Sequence, residues 1–226
     1  MKVLITSGGT RVKIDDVRHL SNMSTGRFGA EIAYEFAKEP NTVNFLYAKG
    51  SVEPLSFHST ANWLKGESIN YQYDDYFEYL KGSVELSKSL KPDIIISAAA
   101  VSDYIVAKAD GKLSSDEDEL IIRLKKAKKV LPLLKAASPE SMVIGFKLLV
   151  SPAYDQVAKA VQKVLNNGAD YVVYNDLTEI KSGNSRRLIF KKDMTFTEVK
   201  DAQSLVQYIT NEYSTWPNGQ CGYYGG

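Results

Sequence analysis

Apolar residues in this chain gather in short β-branched runs, and between the runs they recur at helical spacing. Residues 2–7 (KVLITS) predict a buried strand, broken by Gly8 and Gly9. After a polar loop, residues 28–38 (FGAEIAYEFAK) predict a helix, because their apolar positions share one face. Residues 42–48 (TVNFLYA) predict a second strand, 69–73 a third, and 76–90 an amphipathic helix that Pro92 stops. Asp93 then leads into 94–98 (IIISA), apolar on both faces in the manner of a covered parallel strand. Residues 108–119, rich in Lys, Asp, Gly and Ser, predict an exposed, mobile flap that ends at another apolar stretch, 120–124. A strand over 142–146 (MVIGF), a helix over 153–167 closed by an Asn-Gly signal, and a strand over 171–174 (YVVY) follow. Residues 187–191 and 195–200 predict an antiparallel hairpin turning near Asp193, and a last helix covers 202–213.

This alternation implies βαβ crossovers, hence an α/β fold: a doubly wound, mainly parallel sheet covered on both faces, with a C-terminal antiparallel hairpin. With no internal repeat and no linker, residues 1–215 are expected to form a single domain and 216–226 a flexible tail. Ligands of such sheets gather at the carboxyl ends of the strands. Those ends are residues 7–10, 98–103, Phe146 with Lys147, and Asn175 with Asp176.

Composition narrows the function classes. The 226 residues are 44% hydrophobic and 24% charged, as in ordinary globular proteins. A formal net charge of +1 supplies no global field for nucleic acid or membrane, and neither is expected as a partner. One basic cluster, Arg123, Lys125, Lys126, Lys128 and Lys129, fits either a solvated face or the attraction of an anionic ligand. A single cysteine, Cys221, rules out an intrachain disulfide and a Cys-rich zinc site, and His19 and His58 lie far from it in sequence. The N-terminal apolar run is too short for a signal peptide, so a cytoplasmic protein is expected.

The loop after the first strand concentrates the candidate chemistry. It contains Gly8, Gly9, Thr10 and Arg11, then Asp15, Asp16 and Arg18, then Asn22, Ser24, Thr25, Gly26 and Arg27. Its glycines fit neither the dinucleotide fingerprint nor a P-loop. Ser24, Thr25 and Gly26 immediately precede a helix, whose unpaired N–H groups and dipole favour a phosphate; a plain N-cap explains Ser24 or Thr25 as well. Arg11, Arg18 and Arg27 suit carboxylate or phosphate, or else pair with Asp15 and Asp16. At the second strand end, Ala98 and Ala99 allow close approach to a base or sugar, or simply pack tightly. Asp103 there could bind ribose or a metal, or cap a turn. Lys112 lies in the flap.

Together these segments resemble the phosphopantothenoylcysteine synthetase family. Gly8-Gly9-Thr10-Arg11, Asp15 or Asp16, Val17-Arg18, Ser21-Asn22, Ser24, Gly26 and Gly29 stand in the order of its GGTRxxxDxVRxxSNxSxGxxG pattern. Residues 97–104 match its SAAVxDY-like segment, Lys112 the first lysine of its KIKK-like motif, and the Gly145-Phe146 and Asn175-Asp176 pairs follow. The likeness spans about residues 1 to 200. Only the first KIKK lysine is present, and Lys147 stands after Phe146 where relatives carry small residues and then a glutamate.

The resemblance implies a homodimeric, nucleotide-binding synthetase that joins 4′-phosphopantothenate to L-cysteine in coenzyme A biosynthesis. The pantothenate carboxylate attacks CTP (alternatively ATP), releasing pyrophosphate, and the cysteine amine then displaces CMP from the acyl-cytidylate. Ser24, Thr25 and Gly26 would hold the triphosphate, with Gly8, Gly9 and Thr10 beside them and Lys112 closing over. Ala98, Ala99, Asp103 and Phe146 would border base and ribose. Arg18 would orient phosphopantothenate and Asn22 would polarise the acyl carbonyl. Mg²⁺ would be held mainly by the nucleotide, with Asp103 as its one protein ligand. The hairpin near 187–200 is the expected dimer contact, giving Arg186 or Arg187 a way to the neighbour's phosphopantothenate. Because the chain starts at the synthetase strand, it is expected to be the monofunctional form, its decarboxylase encoded separately. Two other readings suit a Rossmann-like sheet: an NAD(P)-dependent short-chain-type reductase, against which the missing GxGxxG counts, and a non-catalytic nucleotide sensor.

Overall fold

Twelve strands and six helices occur in the described residues, 1–54, 65–116, 118–184 and 186–217 of this computed structural model. The first half holds β1 (Lys2–Ser7), β2 (Arg11–Lys13), β3 (His19–Ser21), α1 (Arg27–Ala37), β4 (Thr42–Ala48), β5 (Glu67–Tyr73), α2 (Tyr76–Leu90) and β6 (Ile94–Ser97). After these come β7 (Tyr104–Ile105), β8 (Lys125–Lys126), α3 (Leu131–Ala137), β9 (Met142–Leu149) and α4 (Tyr154–Asn166). The chain continues with β10 (Tyr171–Asp176), α5 (Leu177–Lys181), β11 (Arg187–Phe190), β12 (Phe196–Val199) and α6 (Ala202–Ser214). His58 and Cys221 lie outside the described residues, as does most of the expected tail.

Eight strands form one sheet in the order β12-β11-β10-β9-β6-β1-β4-β5. The six from β10 to β5 run parallel, and β11 and β12 add the expected antiparallel hairpin. The chain builds outward from β1 to β4 and β5, then returns to β6 and builds the other way. The order therefore reverses between β1 and β6, where open α/β sheets leave a crevice.

Alternation along each strand divides the core. Val3, Ile5, Ile94, Ile96 and Val173 point to the face covered by α1 and α6. Leu4, Ile95 and Val143 point to the face covered by α2 and α3, and Val172 points beneath α4. Both faces are buried, which is why these strands are continuous apolar runs rather than alternating ones. Asp75 caps α2 by accepting from the N–H groups of Phe77 and Glu78 at 2.9 and 3.0 Å. Gly168, at φ 101°, follows Asn167 past the end of α4, as the Asn-Gly signal predicts.

The differences from expectation lie outside this sheet. The apolar stretch 120–124 belongs to an arm closed at its base by the two-residue ribbon of β7 and β8. The opening loop contains a polar hairpin, β2 paired with β3. A short helix, α3, starts at Leu131 with Pro132 in its first turn, where a missing N–H costs nothing.

Candidate functional site

At the crevice the ends of β1 and β6 are stitched together. Gly9 and Ala100 form a parallel bridge, with Thr10 N–H donating to the Ala100 carbonyl at 3.1 Å and Ala100 N–H to that of Gly8 at 2.8 Å. The Thr10 hydroxyl lies 2.9 Å from the Ser102 hydroxyl and accepts from Ser102 N–H at 2.8 Å. Asn22 sits across this seam, its amide Nδ2 donating to the Ala100 carbonyl at 2.8 Å. An asparagine amide carries two N–H donors, so this bond fixes the plane in which the other is presented. Gly9 is obligatory: a Cβ there would run into the carbonyl oxygen of Asn22.

The start of α1 lies beside this seam. Its N-cap is Gly26, at φ 73°, a conformation that favours glycine, and no side chain caps the helix. Ser7, buried at the end of β1, donates its hydroxyl to the Gly26 carbonyl at 2.9 Å. Thr25 gives only a long 3.4 Å contact to Arg27 N–H, and its own carbonyl accepts from Val52 N–H at 2.9 Å. The N-cap reading of Ser24 and Thr25 is therefore corrected: the turn is held by backbone and by Ser7. That leaves first-turn N–H groups without the side-chain acceptor a usual cap supplies.

The β2–β3 hairpin projects from this base, and its turn is organised by Asp15. That carboxylate is buried and accepts from Val17 N–H at 2.8 Å, Arg18 N–H at 2.7 Å and Leu113 N–H at 3.1 Å, with the Arg18 guanidinium at 3.0 Å. Burial pushes its pKa up, but the three N–H groups and the Arg18 charge outweigh that and hold it below the ordinary carboxylate range. Asp16 accepts from Gly111 N–H at 3.0 Å and pairs with Lys108. Lys112, between Gly111 and Leu113, is thus placed at the hairpin's tip beside Arg18. The Ser24–Gly26 turn sits at the hairpin's base, next to Ser7 and Ser51. Arg11 and Lys13 tie the hairpin to Asp74 at 3.1 and 3.2 Å.

One strand further along, the ends of β6 and β9 open into a cleft of about 180 Å³ whose walls include Ala99, Ser102, Gly145 and Phe146. Ala98 points to the opposite face with Phe28. Asp103 pairs with Lys129, which lowers its pKa against the opposing effect of burial; Lys147 and Lys163 lower it further. Among the described residues no group of three His, Cys, Asp or Glu could hold a metal. Asp176 caps α5, accepting from Thr178 N–H at 2.8 Å, and Asn175 shares its strand end. Arg186 pairs with Glu198 at 3.0 Å, and the Arg187 guanidinium lies 3.7 Å over the Phe28 ring, so both hairpin arginines are engaged within the chain. Sequence reasoning gave Ser7, Ser102 and Leu113 no role of their own, because their partners are 19 to 98 residues away.

Comparisons with known proteins agree with this geometry. The model of the DNA/pantothenate metabolism flavoprotein C-terminal domain matches residues 1–212. The chain is 36% identical to the coenzyme A biosynthesis bifunctional protein CoaBC of Methanocaldococcus jannaschii over 79% of its own length, and spans 41% of that relative. It is 30% identical to the human phosphopantothenate–cysteine ligase, over 78% of this chain and 72% of that one. Among solved structures, the DNA/pantothenate metabolism flavoprotein from Streptococcus pneumoniae superposes with a TM-score of 0.81 at 26% identity, covering 96% of this chain and 99% of the other. The chain belongs to the family of the DNA/pantothenate metabolism flavoprotein C-terminal domain, alongside the phosphopantothenate–cysteine ligases.

Proposed function

We propose that the chain is a phosphopantothenate–cysteine ligase that activates the acid as an acyl-nucleotide, with CTP as the preferred nucleotide and ATP as the alternative. The observation that carries this reading is the seam at the β1–β6 crevice, where Asn22 is held by the Ala100 carbonyl beside an α1 start with no side-chain cap. A carbonyl-facing amide next to an anion site is what acyl transfer through a nucleotide needs. Similarity to ligases and to bifunctional coenzyme A proteins supports the substrate pair, 4′-phosphopantothenate and cysteine.

In this scheme Gly8, Gly9, Thr10, Ser24, Thr25 and Gly26 receive the triphosphate at the α1 start. Ala99, Asp103 and Phe146 stand beside the nucleotide, while the Ala98 side chain backs this strand end from the opposite face. Arg18, set by Asp15, orients the phosphopantothenate, and Lys112, carried on the same anchored tip, contributes charge to the departing pyrophosphate. The Asn22 Nδ2–H not bonded to Ala100 stabilises the oxyanion that forms when the cysteine amine attacks. Mg²⁺ would be held mainly by the nucleotide, with Asp103 as the candidate protein ligand, and would supply charge neutralisation of the leaving group. The chain acts as a cytoplasmic homodimer. No helix among the described residues is long and apolar enough to cross a membrane.

The test is pyrophosphate release with phosphopantothenate, cysteine, Mg²⁺ and either CTP or ATP. Without cysteine, one equivalent of pyrophosphate should appear and acyl-nucleotide accumulate. Asn22→Asp should lose the cysteine step by roughly 100-fold or more while keeping the first step. Loss of both half-reactions together refutes the role given to Asn22, and no pyrophosphate with either nucleotide refutes the ligase.

A further inference from the structure

The cleft at the ends of β6 and β9 holds more positive charge than contact with a base and sugar calls for. Lys128 and Lys129 reach it from the segment between β8 and α3, and Lys147 reaches it from β9. Against these three ammonium groups stands one carboxylate, Asp103, already paired with Lys129. The side chains of Lys128 and Lys147 have no hydrogen bond or close ion pair among the described residues. Lys163 on α4 adds its field from one side.

The backbone that carries two of the lysines is fixed in place. The Tyr76 hydroxyl donates to the Lys128 carbonyl at 2.9 Å, and Ala127 N–H donates to the Asp103 carbonyl at 2.9 Å. Ala99, Val130, Leu131 and Gly145 form apolar wall behind them. Like charges held around a concavity repel one another, and an apolar wall strengthens their field. A compact dianion relieves that repulsion, and ammonium groups meet phosphate as point charges without needing a fixed fork.

We propose that Lys128, Lys129 and Lys147 form a phosphate-binding subsite, one strand along from the α1 start, so that the chain holds two anionic groups in separate places at once. The inference rests on the ligase reading, in which both the nucleoside triphosphate and the acid substrate carry phosphate. It also alters that reading, placing a phosphoryl group in the cleft assigned to base and ribose.

Calorimetric titration of the whole chain tests it, with inorganic pyrophosphate, 4′-phosphopantothenate and phosphate-free pantothenate as probes. The proteins compared are wild type, a Lys128→Met/Lys147→Met double variant, and Lys81→Met as a control on the exposed face of α2. Lys129 is kept because it holds Asp103. The double variant should bind one phosphate source at least about tenfold more weakly, the scale of a charged hydrogen bond. Weaker pyrophosphate assigns the subsite to the nucleotide's polyphosphate. Weaker phosphopantothenate with unchanged pantothenate assigns it to the phosphomonoester. Equal binding by wild type and double variant, no binding of either phosphate probe by wild type, or an equal loss in Lys81→Met overturns the proposal. Turnover does not enter the measurement, so a chain without ligase activity that binds pyrophosphate through these lysines refutes the ligase reading and leaves the subsite standing.

Discussion

At the residue scale, Asp15 gathers the most around itself. One carboxylate satisfies three backbone N–H groups and a guanidinium, and it does so from a buried position. Its pKa is depressed in the folded chain, so its contribution to stability is fully present above the unfolded carboxylate value, near pH 4. That contribution is lost as pH falls through the depressed folded value. Thermal unfolding between pH 7 and pH 3 should therefore hold steady to about pH 5 and then drop. Asp15→Asn should make that drop shallower and should weaken phosphopantothenate binding, since Arg18 loses the anion that sets it. An unchanged acid limb in the variant would contradict this account.

At the element scale, stability is local and conventional, and this is where the sequence is most legible. Asp75→Ala removes the α2 cap and should cost about 1 kcal/mol, roughly 2–4 °C in melting temperature, without moving the catalytic rate. The strands and helices of the large sheet are readable because their side chains face a core, and burial imposes a period of two or 3.6. The β2–β3 hairpin and the β7–β8 ribbon escape that reading for the converse reason. Residues such as His19, Leu20, Ser21, Lys125 and Lys126 are exposed, so no periodicity records them. Pro132 opens α3, a helix of seven residues and too short for a helical period to stand out. The site shows the same division. Strand ends at Gly8–Thr10 and Ala98–Asp103 follow from topology and stand where expected, β9 runs three residues past the expected end at Phe146, and the docking of Leu113 on Asp15 spans 98 residues and leaves no local signal.

At the scale of the whole molecule, the two ends of the sheet do different work. Far from the crevice, buried Asp170 accepts from Val143 N–H at 3.0 Å, Lys135 at 2.9 Å and Lys192 at 2.7 Å, joining β9, β10, α3 and the turn of the terminal hairpin. Asp170→Ala strands two partly exposed ammonium groups and should cost about 2 kcal/mol, or about 4–8 °C. Activity per folded molecule should be kept; loss of activity at unchanged melting temperature would contradict the division. At the crevice end, Gly111 and Leu113 are bonded to Asp16 and Asp15 on either side of Lys112. Surface segments joined mainly by polar contacts open more readily than a core does, in cooperative units rather than residue by residue. Cross-linked as they are, the hairpin tip and the arm constitute one such unit, with a single opening equilibrium. Amide hydrogens of Val17, Arg18, Gly111 and Leu113 should then show one common protection factor in hydrogen exchange. Any event that frees Lys112 frees Arg18 with it, so under the proposed function the binding of the acid and the departure of pyrophosphate would be timed together.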